Sequence, residues 1–206
     1  MKVLLHPTYF PSIAHFVAMM KAETIVFEVH DNYQKQTYRN RATIFGANGR
    51  LDLNVPVHYS QKNRQLYKEV CVSTIDNWQD LHLKSLESAY RASPFFEFYI
   101  DDLKPLFEMN VQHIMDFNFK CLEAIFDCLQ LPFKYQVTTH FEKEPKNIID
   151  ARPLANSRKE IVQNFQSYAQ VFDDKHGFLN NLSILDLLFN EGPNSTIYLE
   201  SQKLTL

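Results

Sequence analysis

The residues best suited to binding a substrate lie between positions 33 and 41. They read Tyr-Gln-Lys-Gln-Thr-Tyr-Arg-Asn-Arg and combine phenol, amide and guanidinium groups in one short segment. Guanidinium forks and planar amides suit paired hydrogen bonds to carboxylate, phosphate or sugar hydroxyl groups, and a tyrosine ring can stack on a substrate ring. The segment is a candidate binding site, and a solvated loop is the equal alternative.

Two histidines are the candidate general bases. His6 opens the stretch His-Pro-Thr-Tyr-Phe-Pro, and His82 follows Trp78 by four residues. Imidazole titrates close to neutral pH, so either side chain could take a proton from an attacking amine or hydroxyl group. Trp78 and His82 share one face of a predicted helix, and the usual burial of tryptophan favours a core role for both.

Other kinds of site find less support. The eight histidines include no His-x-x-x-His pair and the three cysteines no Cys-x-x-Cys pair, so no metal site is predicted. The cysteines fall in apolar strand and helix patterns, where free thiols usually pack as small apolar groups. The glycine motifs that cradle phosphates are absent, so nucleotide binding through such loops is not expected and no motif names a cofactor.

The strands that must position these residues begin close to the N-terminus. Residues 3–5 form an apolar strand that stops at His6-Pro7, and residues 24–29 form a second strand that leads into the polar segment. Between them, the apolar spacing predicts a helix over 13–20, capped by Ser12. Ligands of open α/β sheets bind at the C-terminal ends of strands, where both candidate regions lie.

The rest of the chain alternates between strands and helices. Further predicted strands cover residues 41–45, 51–57, 69–73, 133–139 and 168–172, with a hairpin turn at Asn48-Gly49. The stretch 145–153 is predicted to be irregular, with a short helix as the alternative. Further predicted helices run from Asp76 or Asn77 to 91, from Ser93-Pro94, over 111–129, and from a capping box at Ser183 and Asp186 to Gly192. The segment 59–67 is predicted to be an exposed loop. The fold class is α/β (mixed α+β): one domain over 1–206 with a central mixed sheet and a helical layer at about 77–130.

Composition excludes several classes of protein. The chain has 21 basic and 24 acidic residues, a net charge of -3 that favours neither nucleic acid nor an anionic membrane. No apolar run approaches the roughly 20 residues of a membrane-spanning helix. Three cysteines are too few for a disulfide framework and fit a reducing compartment. A cytoplasmic protein without a transmembrane segment is therefore predicted.

The candidate residues resemble the WbqC-like protein family, whose members open on Gln-Pro-x-Tyr-x-Pro and continue through a Tyr/Gln-rich loop to Asn-Arg. The corresponding pieces here are residues 6–11, Tyr33-Gln34-Lys35 and Tyr38-Arg39-Asn40-Arg41. Further matching residues are Val55-Pro56-Val57, Trp78, His82, Tyr90, Pro94-Phe95-Phe96 and residues 182–192. The resemblance covers nearly the whole chain. His6 stands where the family usually has glutamine, which replaces an amide hydrogen bond by an imidazole one.

The resemblance implies work in surface-polysaccharide (O-antigen-like) biosynthesis, because the family is associated with such gene clusters. The first hypothesis is a transferase that moves an acyl or aminoacyl group to an amino sugar on a nucleotide or lipid carrier. Its substrate is then a small or carrier-linked sugar, and His6 or His82 is the base. The predicted substrate-binding residues are Tyr9, Tyr33, Gln34, Tyr38, Arg39, Asn40, Arg41 and Trp78.

Two alternatives remain at this point. A non-catalytic protein could use the same pocket to hold a glycan intermediate or to assemble with a partner. In that case the aromatic and arginine residues matter, and His6→Ala and His82→Ala leave function intact. The third possibility places the site elsewhere, in the loop 59–67 or near Asp150-Ala151-Arg152.

Overall fold

The fold is built on one parallel sheet and two small antiparallel pairs of strands. A computed structural model describes residues 1–60, 64–75 and 77–206. Its strands are β1 (Lys2–Leu5), β2 (Thr24–Phe27), β3 (Arg41–Gly46), β4 (Gly49–Asn54), β5 (Val57–His58), β6 (Cys71–Val72), β7 (Tyr135–Val137) and β8 (Ile149–Asp150). The parallel sheet has the order β7-β2-β1-β8, whereas β3 pairs with β4 and β5 with β6 in antiparallel fashion.

Helices cover one side of this sheet and extend away from it. They are α1 (Ile13–Met20), α2 (Trp78–Tyr90), α3 (Phe96–Glu108), α4 (Ile114–Cys128), α5 (Asp173–His176), α6 (Ile184–Glu191) and α7 (Ser195–Ser201). The helix α1 makes the crossover between the parallel strands β1 and β2, and α2 to α4 form the predicted helical layer. The chain is therefore a single mixed α/β domain. Within the described ranges, no helix has both the length and the apolar character needed to cross a membrane.

The two faces of the parallel sheet have different surroundings. Val3, Leu5 and Phe27 point into the main hydrophobic core, which also contains the buried apolar residues of α1 and α4. Side chains alternate along a strand, so Leu4 and Val26 lie on the opposite face. That second face carries a cavity, and the polar residues that follow the strands gather at its carboxyl end.

Several predicted elements are confirmed. The helix α1 begins and ends where its apolar spacing indicates, and the strand over residues 3–5 is found as β1. The hairpin at Asn48-Gly49 closes with Gly46 opposite Gly49. Gly49 has a φ of +101°, a backbone conformation that glycine adopts without steric cost.

Other boundaries differ from prediction for identifiable reasons. The strand predicted over 51–57 breaks into β4 and β5, because Pro56 cannot donate a ladder hydrogen bond. The helix predicted to open at Pro94 begins at Phe96, and the one predicted from 111 begins at Ile114. The strand predicted over 69–73 is limited to β6.

Two predictions in the C-terminal half are wrong. Residues 145–153 are predicted to be irregular or to include a short helix. The 3-10 helix Arg152–Ala155 agrees with the second alternative, but the prediction misses β8, which pairs with β1. Residues 168–172 are predicted to form a strand and do not. The backbone N–H of Gln170 donates to the Asp173 carboxylate instead of a neighbouring strand, and the side chains of Tyr168 and Gln170 bind Asp186.

Two predicted features fall partly on undescribed positions. The helix cap predicted at Asp76 lies outside the described residues, and Asn77 precedes α2 without a side-chain cap. In the polar segment 59–67, positions 61–63 likewise lie outside them.

Asp186 is the centre of a buried polar cluster. The predicted capping box is half right, because Ser183 Oγ accepts a hydrogen bond from the Leu185 N–H. Asp186 instead turns inward, where its two carboxyl oxygens accept hydrogen bonds from Tyr90 at 2.8 Å, Tyr168 at 2.5 Å and Gln170 at 2.8 Å. Burial raises the pKa of Asp186. The cluster ties α2, α6 and the segment around residue 170 together.

We expect Asp186→Asn to lower the free energy of unfolding by about 1–3 kcal/mol, the usual cost of leaving a buried donor unpaired. The amide replaces one acceptor oxygen by a donor, so at least one of the three donors loses its partner. Urea unfolding measures the effect. Tyr168→Phe is the matched control, because it keeps the Asp186 carboxylate and removes only the hydroxyl that donates to Asp186 and accepts a longer hydrogen bond from Gln170, at a cost of about 1 kcal/mol. Equal stability of Asp186→Asn and the unaltered protein would contradict this assignment.

Candidate functional site

An open cleft lies at the carboxyl ends of β1 and β8. It has a volume of about 340 Å³ and is lined by His6, Asp31, Gln34, Thr37, Arg39, Phe141, Asp150, Arg152 and neighbouring residues up to Asn156. We call it the sheet-end cleft. Its lining comes from four separate parts of the chain, which follow β1, β2, β7 and β8. This is the position where open parallel sheets bind their ligands.

The loop over residues 6–11 holds His6 in place. All of its residues are buried, so its backbone polar groups need partners from elsewhere in the fold. The Tyr9 N–H donates to the Tyr38 carbonyl at 2.9 Å, and the Tyr67 hydroxyl donates to the Pro7 carbonyl at 2.7 Å. The Asn118 amide donates to the Arg39 carbonyl at 2.6 Å. These bonds bring the two candidate segments of the sequence side by side.

His6, Arg39 and Asp31 form a buried network at the base of the cleft. Arg39 is 2% exposed and His6 4% exposed. The Arg39 Nη2 lies 2.7 Å from His6 Nε2 and donates to Asp31 Oδ2 at 2.9 Å. The distance between His6 Nε2 and Asp31 Oδ2 is longer, at 3.3 Å. The guanidinium is thus shared between an imidazole and a carboxylate.

These distances determine the protonation of His6. A guanidinium can only donate, so the 2.7 Å contact makes His6 Nε2 an acceptor and puts the imidazole proton on Nδ1. Burial, followed by the charge of Arg39, lowers the pKa of His6 to about 4. His6 is therefore neutral at pH 7. In this state its Nε2 lone pair is occupied by Arg39, and its Nδ1–H is a buried hydrogen-bond donor.

Two buried donors at the cleft have no partner. Among the described residues, neither His6 Nδ1 nor Arg39 Nε has a hydrogen-bond acceptor within reach. A buried donor without a partner costs about 1–3 kcal/mol, so native proteins keep few of them. Because both side chains line the sheet-end cleft, a ligand with an acceptor oxygen could satisfy them.

Arg152 forms the second charged centre of the cleft. Its guanidinium donates to Asp150 Oδ1 at 2.8 Å and Oδ2 at 2.7 Å, which is a two-pronged ion pair. It also donates to the carbonyl groups of Glu142 and Lys143 and lies 5.3 Å from the centre of the Phe141 ring. Burial favours neutral Asp150, but the hydrogen bonds from Arg152 outweigh it and the pKa of Asp150 is lowered.

Three predicted residues lie in the core, away from the cleft. Tyr9, Trp78 and His82 are 0%, 5% and 6% exposed, and the Tyr9 hydroxyl lies 2.9 Å from His82 Nδ1. Their rings pack on one another and on Phe117. Burial lowers the pKa of His82 to about 4. For Trp78 and His82 this is the core arrangement that the sequence favoured.

Four further predicted residues support the loops around the cleft. Buried Tyr33 packs on Tyr59 and Tyr67, and the Tyr38 hydroxyl donates to Glu160 at 3.0 Å. Asn40 donates to the Val55 carbonyl, and Arg41 binds Asn54 and Asp52 across the β3–β4 hairpin. The structure therefore brings His6, Gln34 and Arg39 together and leaves the other predicted site residues outside the cleft.

The cleft also contains residues that the sequence did not assign to the first site. Asp31 and Arg152 are the most important of them, and Asp150-Ala151-Arg152 appeared only as a separate third possibility. The structure joins that third region to His6 and Arg39. For Asp31 the available signal was its position after the predicted strand 24–29, whereas β8 was not predicted and gave no such signal for Arg152. In the described part of the chain, no group of three His, Cys, Asp or Glu side chains is arranged to hold a metal ion.

Comparison with known proteins identifies the family. The sequence model described as "WbqC-like protein family" matches residues 6–160, which include every cleft residue named above. The chain is also 24% identical over 226 residues to "Uncharacterized protein Rv1507c" of Mycobacterium tuberculosis (strain ATCC 25618 / H37Rv), across 95% of this chain and 96% of that protein. No solved structure matches the chain. Since the family match covers well over half of its length, this chain belongs to the WbqC-like protein family.

Proposed function

We propose that the protein is a cytoplasmic transferase of surface-polysaccharide (O-antigen-like) biosynthesis. It would move an acyl or aminoacyl group to an amino sugar on a nucleotide or lipid carrier, with the sheet-end cleft as its site. The observation that carries the proposal is the pair of buried donors, His6 Nδ1 and Arg39 Nε, that lack a protein partner and belong to residues lining this cleft.

The donor pair suits acyl transfer. Attack of the acceptor amine on the carbonyl carbon of the acyl donor forms the new C–N bond and places negative charge on the carbonyl oxygen, which fixed N–H donors in a site of low dielectric stabilise. Collapse of this intermediate breaks the bond between the acyl group and its carrier, and the leaving carrier takes the proton that the amine loses. The network with Asp31 holds His6 and Arg39 in position before substrate arrives. In this role His6 is a donor and not the base predicted from its residue type. A glutamine amide at this position also offers an N–H donor, so the usual family residue suits the same role.

The rest of the cleft suits a sugar. Gln34 and Asn156 supply amides, Thr37 supplies a hydroxyl, and Asp150 with Arg152 supplies a carboxylate and a guanidinium. Neighbouring sugar hydroxyls both donate and accept hydrogen bonds, and such planar side chains match them in pairs. Phe141 is 45% exposed and offers a ring face at the same cleft.

One observation favours the second candidate, a protein that binds a glycan intermediate without catalysis. The lone pair of His6 is taken by Arg39, and His82 bonds Tyr9 in the core, so neither predicted base is available to a substrate. The two functions differ in a measurable way. Only the transferase converts a bound acyl donor and amino sugar into product, which mass spectrometry detects.

We expect Gln34→Ala to weaken binding of the sugar substrate about tenfold, the equivalent of one hydrogen bond of about 1.4 kcal/mol. Gln34 is exposed at the cleft, so stability should not change. A thermal-shift screen of nucleotide sugars and acyl carriers identifies the ligand, since 100 times the dissociation constant stabilises by about 2.7 kcal/mol. Gln112→Ala is the control, because this exposed glutamine lies outside the cleft. Equal affinity of the two variants would remove the sheet-end cleft from the proposal.

A further inference from the structure

A second cavity lies on the face of the parallel sheet that the main core does not cover. Its volume is about 350 Å³, and its lining includes Leu4, Val26, Glu28, Gln136 and Thr138. We call it the sheet-face cavity. Leu4 and Val26 provide an apolar floor, and the segment from Thr139 to Ile148 forms the opposite wall. None of the residues predicted from sequence to form a site lines this cavity.

Glu28 is the unusual residue of the sheet-face cavity. It directly follows β2, and its N–H donates to the Leu5 carbonyl at 2.8 Å, which continues the ladder with β1. The side chain is only 1% exposed. Its Oε1 accepts hydrogen bonds from the His30 N–H at 2.7 Å and from the Thr138 hydroxyl at 2.9 Å. The carboxylate is therefore held in one orientation.

The second oxygen of Glu28 is unsatisfied. In residues 1–60, 64–75 and 77–206, no donor forms a hydrogen bond with Glu28 Oε2. The nearest cation is Arg152, whose Nη1 lies 3.6 Å away, beyond hydrogen-bond distance, and which already binds Asp150 and two carbonyl groups. A buried carboxylate oxygen is costly unless it accepts a hydrogen bond. This carboxylate is thus prepared to accept one from a ligand in the cavity.

The chemistry of Glu28 selects the ligand. A carboxylate oxygen repels phosphate and carboxylate groups and binds donors, most strongly a charged ammonium group. We propose that Glu28 binds the amino group of the acceptor substrate, so that the sheet-face cavity recognises primary amines such as amino sugars. This inference rests on the proposed function and specifies where its acceptor binds.

The position of Glu28 fits an acceptor site. Arg152 lines the sheet-end cleft, and its Nη1 is 3.6 Å from Glu28 Oε2, so a single ion pair separates the two cavities. His6 and Arg39, which carry the unpartnered donors, line the sheet-end cleft, and Glu28, which carries the unpartnered acceptor, lines the sheet-face cavity. We expect the sheet-end cleft to bind the acyl oxygen and the sheet-face cavity to bind the amine.

Glucosamine, glucose and N-acetylglucosamine are the probes that test the proposal, because they differ at one position of the sugar. By isothermal titration calorimetry at pH 7, the unaltered protein should bind glucosamine at least tenfold more tightly than the other two. Glu28→Gln, which keeps the size of the side chain, should abolish this preference. Thr138→Val, which releases the carboxylate from its hydroxyl partner, should reduce it and provides a second variant should Glu28→Gln fold poorly. Glu142→Gln is the matched control, because this half-exposed carboxylate lines the same cavity and should leave the preference unchanged.

The outcomes separate this inference from the proposed function. Equal binding of the three sugars, or an amine preference that survives in Glu28→Gln, overturns the role of Glu28. Acyl transfer by Glu28→Gln with an unchanged KM for the amine overturns it as well, while the transferase assignment stands. Amine binding that depends on Glu28, without transfer to any amine, supports the inference and leaves the protein as a binding protein.

Discussion

Acidification from pH 6.5 to pH 4 should remove most of the stability of this protein. Burial lowers the pKa of His6 and His82 to about 4 and that of His15 to about 3. The unfolded chain binds protons at these histidines near pH 6.5, whereas the folded chain does so only below pH 4. The free energy of unfolding is therefore highest above pH 6.5, where these histidines are neutral in both states, and it decreases as the pH falls and the unfolded chain takes up protons. Each histidine removes about 2 kcal/mol by pH 5 and about 3 kcal/mol by pH 4.

The loss of stability summed over the three histidines is large compared with the stability of a typical domain, about 5–15 kcal/mol. Urea unfolding at pH 7.5, 6 and 5 measures this loss of stability. The variant His82→Gln shows how much of the loss comes from His82. Glutamine can still bond the Tyr9 hydroxyl, so this variant should lose about a third less stability between pH 7.5 and pH 5. The raised pKa of buried Asp186 acts in the opposite direction in both proteins and cancels in their comparison. The same pH slope in both proteins would show that His82 titrates normally.

The parts of the fold that were predictable from sequence are those governed by local rules. The helix α1 carries apolar residues at Ile13, Phe16, Val17 and Met20. Ser12 occupies the N-cap position, but its hydroxyl bonds the His15 ring and makes no capping hydrogen bond. The strand β8 has two residues, too few for any alternation to be visible, and only its pairing with β1 defines it. The run around Tyr168 has the composition of a strand, but the buried Asp186 fixes its conformation. Both predictions failed because contacts with distant parts of the chain set the conformation of these two segments.

The difference between local rules and long-range contacts also explains which residues of the candidate site were predictable from sequence. His6 and Arg39 were identifiable because both follow strands and carry polar groups suited to binding. Tyr9 belongs to the same motif, yet Phe10 adopts a φ of 35°, and both rings enter the core. Tyr67 and Asn118 hold the carbonyls of Pro7 and Arg39 from distant parts of the chain. No spacing rule in the sequence relates these positions. Only the structure therefore shows that His6 lines the cleft while Tyr9 and Phe10 of the same motif lie in the core.

Replacement of Arg39 by methionine should lower the free energy of unfolding by about 3–5 kcal/mol, the usual cost of breaking a buried ion pair from one side. Methionine retains much of the apolar stem but leaves buried Asp31 without its guanidinium partner. The charge of Arg39 also helps to lower the pKa of His6. In its absence His6 can become protonated and pair with Asp31 at 3.3 Å, so the pKa of His6 should rise. Urea unfolding and histidine NMR titration measure the two effects.

The double variant Arg39→Met with Asp31→Asn tests the cause. If the cost comes from the uncompensated carboxylate, removing its charge recovers about half of the loss, and the double variant is more stable than Arg39→Met alone. It should also lose the rise in the pKa of His6, because the imidazolium no longer has a carboxylate partner. Destabilisation equal to the sum of the two single variants would mean that Arg39 and Asp31 act independently, and that packing of Arg39 on the Tyr67 ring accounts for its effect.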